Sequence, residues 1–189
     1  CIRDRVESEV LRETQLVVCL LFQYAGMSFV DFAHLKERNI KNGILDYNRQ
    51  KTGTPMRLEI LDTAELMRKE LMGDKRPASG YLFPFLSGTK TGYEAYLEYN
   101  AALSRFNRNL KALKKAAGIA SDVTSYTIRH SFAMALKEQN VPIEMISELL
   151  GHKSIKTTQI YLRSFSLEKM TEVNSTCFGC VYNYVSKVG

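Results

Sequence analysis

The chain has 189 residues, 45% of them hydrophobic, and carries 26 Lys+Arg against 20 Asp+Glu for a net charge of +6. That length and apolar share fit one ordinary domain with its own core, and the charge admits a polyanion partner without requiring one. The longest apolar run, "QLVVCLLFQYAGM", falls far short of the roughly 20 residues of a membrane span, which excludes one, and no secretory signal is visible at the start.

Residues 8–24 place Val10, Leu11, Val17, Val18, Leu21 and Phe22 at helical spacing, and Gly26 stops that helix. The stretch "MSFVDFAHLKERNIK" reads as a second, short helix with Ser28 as its cap. The period then changes. Ile44, Asp46 and Asn48 alternate with Leu45, Tyr47 and Arg49, and Met56, Leu58 and Ile60 alternate with Arg57 and Glu59. With the turn cluster "QKTGTP" between the two runs, a β-hairpin is expected. Asp62, with Glu65 three residues on, suggests a capping box at the start of another helix. A Gly-, Pro- and Ser-rich loop separates it from the longest helix, which covers residues 92–117. Tyr96, Tyr99, Leu103, Phe106, Leu110 and Leu113 form its apolar stripe, and Arg105, Arg108, Lys111, Lys114 and Lys115 its basic face. That face is either solvated or turned toward phosphates. "TSYTIRHSFAMALKEQN" is a further helix capped by Thr124 or Ser125, Pro142 opens "PIEMISELLGH", and Ser154 caps "SIKTTQIYLRSF". The fold class expected is mostly α with a small antiparallel β-hairpin or sheet.

The chemistry concentrates in the last third. Arg129 shares a helical stripe with Phe132, Ala133 and Leu136. A cation on an apolar face needs an anion, either a structural partner such as Glu144 or Glu148 or a phosphate gripped by the planar guanidinium. His152 follows a helix stop at Gly151 and can donate or accept a proton near neutral pH. Tyr161 lies nine residues further on; a tyrosine is a poor nucleophile unless positive groups stabilise its phenolate. The cysteines are Cys1, Cys19, Cys177 and Cys180. Only the last two form a Cys-x-x-Cys pair, and no second pair or histidine cluster completes a metal set, so no metal is expected. Cys19 reads as a core residue, and the chain as cytoplasmic and reduced.

"TIRHSFA", then "LLGH", then "TTQIYLR", in that order and spacing, resembles the catalytic domain of the tyrosine recombinases, the phage integrase family. "YAGMSFVDFAHLK" looks like that family's first motif and "QKTG" like its hairpin lysine, so the resemblance covers nearly all of residues 8–165. The wording is closest to integrases of conjugative and mobilisable transposons. The resemblance implies that Tyr161 attacks the scissile phosphate of double-stranded DNA and forms a 3′-phosphotyrosyl bond. Arg129 would hold the non-bridging oxygens, His152 would add a hydrogen bond, and Lys51 would protonate the leaving 5′ oxygen. Lys90 sits in a similar "KTG" triplet, but outside the hairpin. Because the phosphotyrosyl bond conserves the phosphodiester's energy, neither ATP nor metal is required. The partners implied are duplex DNA and further copies of the chain on it, with no membrane and no small-molecule substrate.

Two positions depart from the family pattern. Where it places an arginine two residues after Gly26, this chain has Ser28, and where histidine is common, three residues before Arg129, it has Tyr126. A displaced arginine such as Arg12 would be one replacement. Residues 1–165 are expected to form the catalytic domain and residues 166–189 a tail of open role, with the family's N-terminal DNA-binding domain absent from this chain. Rival readings are a type IB topoisomerase-like enzyme, which shares the chemistry without exchanging strands, a decayed integrase kept for DNA binding, and a helical domain whose basic face is merely solvated.

Overall fold

The computed structural model describes residues 9–73 and 80–162, with Tyr161 described by its backbone alone. Along the described residues the order is α1 (Glu9–Gln23), α2 (Phe29–Ala33), a 3-10 turn (Glu37–Asn39), β1 (Ile40–Lys41), β2 (Ile44–Asn48), β3 (Pro55–Glu59), α3 (Asp62–Met72), α4 (Gly92–Ala116), α5 (Ser125–Glu138), α6 (Ile143–Leu149) and α7 (Ile155–Tyr161). The strands form one antiparallel sheet in the order β1-β2-β3, with Leu45 opposite Leu58 and Tyr47 opposite Met56. The fold class read from the sequence holds, with one short strand more than the hairpin.

α1 buries Leu16, Val17, Leu20 and Leu21, and α4 and α3 pack against it. Phe29 of α2 stacks on Phe106 of α4 at 4.6 Å between centroids, and Phe32 on Phe83 at 4.1 Å. Each such fully buried side chain contributes about 1.5–3 kcal/mol, so this cluster dominates the fold. A smaller cluster of Ala133, Ile146, Leu150 and Leu162 ties α5, α6 and the end of α7 together. Phe22 meets Phe132 edge-on at 5.2 Å and links α1 to α5. No described helix is long and apolar enough to cross a membrane.

Several local expectations are corrected. The second helix is only the five residues of α2, because the chain must turn at Leu35 to deliver β1 beside β2. α3 begins at Asp62 without a side-chain cap, and Glu65 bonds Arg68 instead of closing a capping box. Val10 and Tyr96 are exposed rather than part of their apolar stripes. Tyr96 stacks on Tyr93 at the start of α4, ahead of the point where Ala102, Phe106 and Leu110 enter the core. Cys19 is half-buried. The Cys177/Cys180 tail and Cys1 lie outside the described residues.

Candidate active site

Four segments meet at the site: the α1–α2 turn, the end of β2, α5 and the α6–α7 turn. α5 starts where Thr124 caps it; the Thr124 side chain accepts from the Thr127 amide, and the Thr124 amide donates to Thr127 Oγ1. One turn on, Arg129 points inward and is 6% exposed. Its Nη1 donates to the Gly26 carbonyl at 2.9 Å and its Nη2 to the Leu150 carbonyl. Backbone oxygens, not Glu144 or Glu148, are the acceptors described here. Gly26 has φ +64°, and a Cβ there would lie 2.9 Å from Phe132 Cδ1, so α5 sits against this turn at glycine distance.

A second guanidinium stands beside the first. Leu45 and Tyr47 face the core, and Arg49 keeps that inward phase just past the strand, 8% exposed. Its Nε donates to Asp31 Oδ2 at 3.4 Å, and its Nη1 to the carbonyls of Leu150 at 3.1 Å and Gly151 at 3.0 Å. Asp31, itself buried on α2, also accepts from Ser28 Oγ at 2.6 Å and from the Gln50 amide at 2.7 Å. Both arginines therefore bond the one Leu150 oxygen. Among the described residues, the Ser28 hydroxyl reaches this centre through Asp31. Arg12, the displaced arginine suggested by the sequence, does not take part. It bonds both carboxylate oxygens of Glu70, at 2.7 and 2.8 Å, between α1 and α3.

α6 ends in a Schellman turn. The Gly151 amide bonds the Glu148 carbonyl at 2.8 Å and the His152 amide bonds Ser147 at 3.0 Å, with Gly151 at φ +59°. A Cβ on Gly151 would fall 2.5 Å from Met56 Sδ and 2.7 Å from Arg49 Cδ, so hairpin and turn interlock around the missing side chain. The turn presents His152, whose Nδ1 lies 2.8 Å from Thr158 Oγ1 on α7. Burial, then the charges of Arg129 and Arg49, push the imidazole down to about 4, so the ring is neutral at neutral pH.

α7 begins at Ser154, which accepts from the Lys156 amide. Its end is held by the buried Lys137 of α5, whose Nζ donates to the Leu162 carbonyl at 2.9 Å. Tyr161 occupies the last turn of α7, next to that carbonyl and three residues after the buried Thr158; its side chain lies outside the description. Lys51 sits exposed in the hairpin turn, which closes through Gly53 N to Arg49 O at 2.8 Å and Arg49 N to Thr54 O at 2.9 Å. Lys90 lies elsewhere and pairs with Glu94 on α4 at 3.5 Å. Tyr126 is exposed on the first turn of α5.

The fold thus brings Arg129, His152 and the backbone of Tyr161 to neighbouring elements, with Lys51 on the turn that follows Arg49. Arg49, Asp31, Thr158 and Lys137 were not read from the sequence. Arg49 had a signal there, an arginine on the inward phase of a strand. So did Lys137, a lysine on the face of α5 that carries Arg129 and Ala133.

Residues 4–168 match the sequence pattern of the phage integrase family. The chain belongs to that family. The tyrosine recombinase XerD of Lacticaseibacillus casei is 52% identical over 54 residues, which are 29% of this chain and 18% of that protein. The crystal structure of XerA recombinase superposes with a TM-score of 0.63 at 21% identity, covering 90% of this chain and 63% of that one. The Tn1549 transposon integrase, in complex with transposon right-end DNA, gives 0.65 at 13% identity, covering 94% and 62%. The last two likenesses establish the tyrosine recombinase catalytic-domain fold. In all three the match takes in less than two thirds of the relative's own length.

Proposed function

We propose that the chain is the catalytic part of a site-specific DNA recombinase that cuts and rejoins duplex DNA through a 3′-phosphotyrosyl intermediate. The phenolic oxygen of Tyr161 releases its proton to water and bonds the scissile phosphorus as the bond to the 5′ oxygen breaks, and Lys51 delivers a proton to that leaving oxygen, recovering it when the strand is rejoined. Arg129 and Arg49 stabilise the charge that grows on the non-bridging oxygens, and the neutral His152 donates a further hydrogen bond. In this reading Arg49 fills the role that the family pattern gives to an arginine at the position of Ser28. The exposed lysine turn closes over DNA to reach its phosphate.

The observation that carries this reading is the convergence of two buried guanidinium groups, from the turn just past β2 and from α5, on one carbonyl beside a neutral histidine. Asp31 offsets part of the charge of Arg49 at 3.4 Å, while the backbone oxygens bonded by the two arginines satisfy donors without adding negative charge, an arrangement suited to a phosphodiester. The partners are duplex DNA and further copies of the chain assembled on it. The likeness to the Tn1549 integrase supports a mobile-element role within the family. In this reading residues 1–165 are the catalytic domain, and residues 166–189 lie outside the described residues.

The test is a nicked suicide duplex carrying the end sequence of the chain's own element, incubated without metal. A denaturant-resistant protein–DNA band that vanishes in Tyr161→Phe is expected. Salt-sensitive DNA binding with no adduct at any pH between 6 and 9 would replace this reading with that of a binding module.

A further inference from the structure

We propose that Thr158 is a positioning residue for His152. Its hydroxyl donates to Nδ1 and holds the ring in the tautomer that carries its hydrogen on Nε2. The inference rests on the recombinase reading for its functional consequence, but the contact stands on its own geometry.

Thr158 Oγ1 is 2.8 Å from His152 Nδ1, and Thr158 is 0% exposed. A fully buried hydroxyl needs a partner, and a helical threonine has the carbonyl four residues back within reach as an alternative. Here the hydroxyl faces the imidazole across the α6–α7 turn. The ring is pinned from its other end as well, because the His152 amide closes the turn onto Ser147 at 3.0 Å. Backbone and side chain together leave little freedom in ring position, so the remaining variable is where the single hydrogen of a neutral imidazole resides.

Chemistry selects between the two tautomers. The oxygens of a phosphodiester only accept hydrogen bonds, so a neutral imidazole assists them only through an N–H. If Nδ1 carried the hydrogen, it would be spent on Thr158 Oγ1, and Nε2 would turn a lone pair toward the phosphate's negative charge. If Thr158 donates instead, Nε2 carries the hydrogen and serves as a donor. A threonine can perform this task without adding charge. A carboxylate at the same place would raise the ring's proton affinity and offset the field of Arg49 and Arg129. Thr158 also belongs to the helix that bears Tyr161. The tautomer is therefore set only when that helix is docked, which couples the histidine to the presence of the tyrosine-bearing helix.

The test uses the whole chain labelled with 15N, in which His34, His130 and His152 are the three histidines and His152→Gln assigns the signal. At pH 7, ring nitrogen shifts with Nε2 protonated and Nδ1 unprotonated are expected for the wild type and for Thr158→Ser. Thr158→Val, which keeps the shape and loses the hydroxyl, is expected to show a tautomer mixture. On the suicide duplex at saturating protein, Thr158→Val is expected to slow adduct formation about 10- to 100-fold, the scale of losing a partner that orients a functional histidine. DNA affinity stays unchanged, and Thr158→Ser restores the rate to within about threefold of wild type on the same scale. A protonated Nδ1 in the wild type overturns the proposal even if Thr158→Val does not fold, and so does a folded Thr158→Val with wild-type shifts and rate. The expected tautomer pattern in a wild type that forms no adduct would uphold the contact and remove the recombinase reading alone.

Discussion

Arg12 and Arg49 each reach a carboxylate, in two regions that handle charge in opposite ways. On the α1–α3 surface, Arg12 lies flat against Glu70, with bonds of 2.7 and 2.8 Å to its two oxygens. The pair neutralises itself and offers a third anion nothing. In the interior, Arg49 meets Asp31 at 3.4 Å and fills its shell with carbonyls contributed 101 and 102 residues further along the chain. Those acceptors satisfy donors but cancel no charge. Burial first, and then the charges of Arg129 and Arg49, hold the proton affinity of His152 below its ordinary value. A short, exposed ion pair thus serves the scaffold here, and a longer, buried one, supplemented by backbone carbonyls, lies in the candidate site.

The comparison breaks most visibly through activity. Arg49→Ala is expected to lower the rate of adduct formation on the suicide duplex about 10²–10³-fold, the scale of removing one donor from a developing oxyanion. Arg12→Ala is expected to leave that rate within about twofold, as for a surface ion pair. Equal losses in the two variants would dissolve the distinction.

Stability sharpens it next. Removing one partner of a buried pair leaves a buried charge exposed to its full desolvation, so Asp31→Asn is expected to destabilise by about 3 kcal/mol in urea titrations. Glu70→Gln should change stability by no more than about 0.5 kcal/mol. Gly151→Ala adds left-handed strain to a clash with Met56 and Arg49, for a loss of about 2 kcal/mol and a Tm lower by about 4–8 °C. Gly43→Ala, at φ +73° with nothing within 4 Å of its Cβ, shows the strain alone. A Tm loss in Gly43→Ala as large as in Gly151→Ala would mean that the interlock adds nothing.

The pH dependence probes the same surroundings. The native His152 titrates near 4, below its ordinary 6.5, so the unfolded chain binds a proton first as pH falls. This residue's contribution is complete above pH 6.5 and is withdrawn between 6.5 and 4. His152→Gln should therefore lose less Tm over that window than the wild type, read by thermal melts at matched ionic strength. A variant whose melting curve tracks the wild type across the window would deny the ring its buried, positive surroundings.

Much of this was legible beforehand, for reasons that differ by region. The hairpin was readable because Leu45, Tyr47, Met56 and Leu58 alternate and a turn cluster separates them. α5 and α7 were readable because Thr124 and Ser154 are real caps. The last motif group, "TIRHSFA", "LLGH" and "TTQIYLR", carries the resemblance to the family. Arg49 carries only a weak local signal, an arginine on the inward phase just past a strand. Its role depends on a carboxylate and two carbonyls far off in the chain, a tertiary fact that no local pattern holds. Tyr96 misled for the opposite reason: its periodicity is helical and sound, but α4 runs past the edge of the core before that turn.

The interlock at Gly151 also has a bearing on redesign. Because a single absent methyl lets Arg49 and Met56 reach under the His152 turn, hairpin and turn behave as one movable part, though 101 residues separate Arg49 from Leu150. A chimera that takes the hairpin from one relative and the α6–α7 turn from another would join halves shaped for different partners. Swapped together, the two segments would travel as a cassette, leaving the remaining surface open to retargeting.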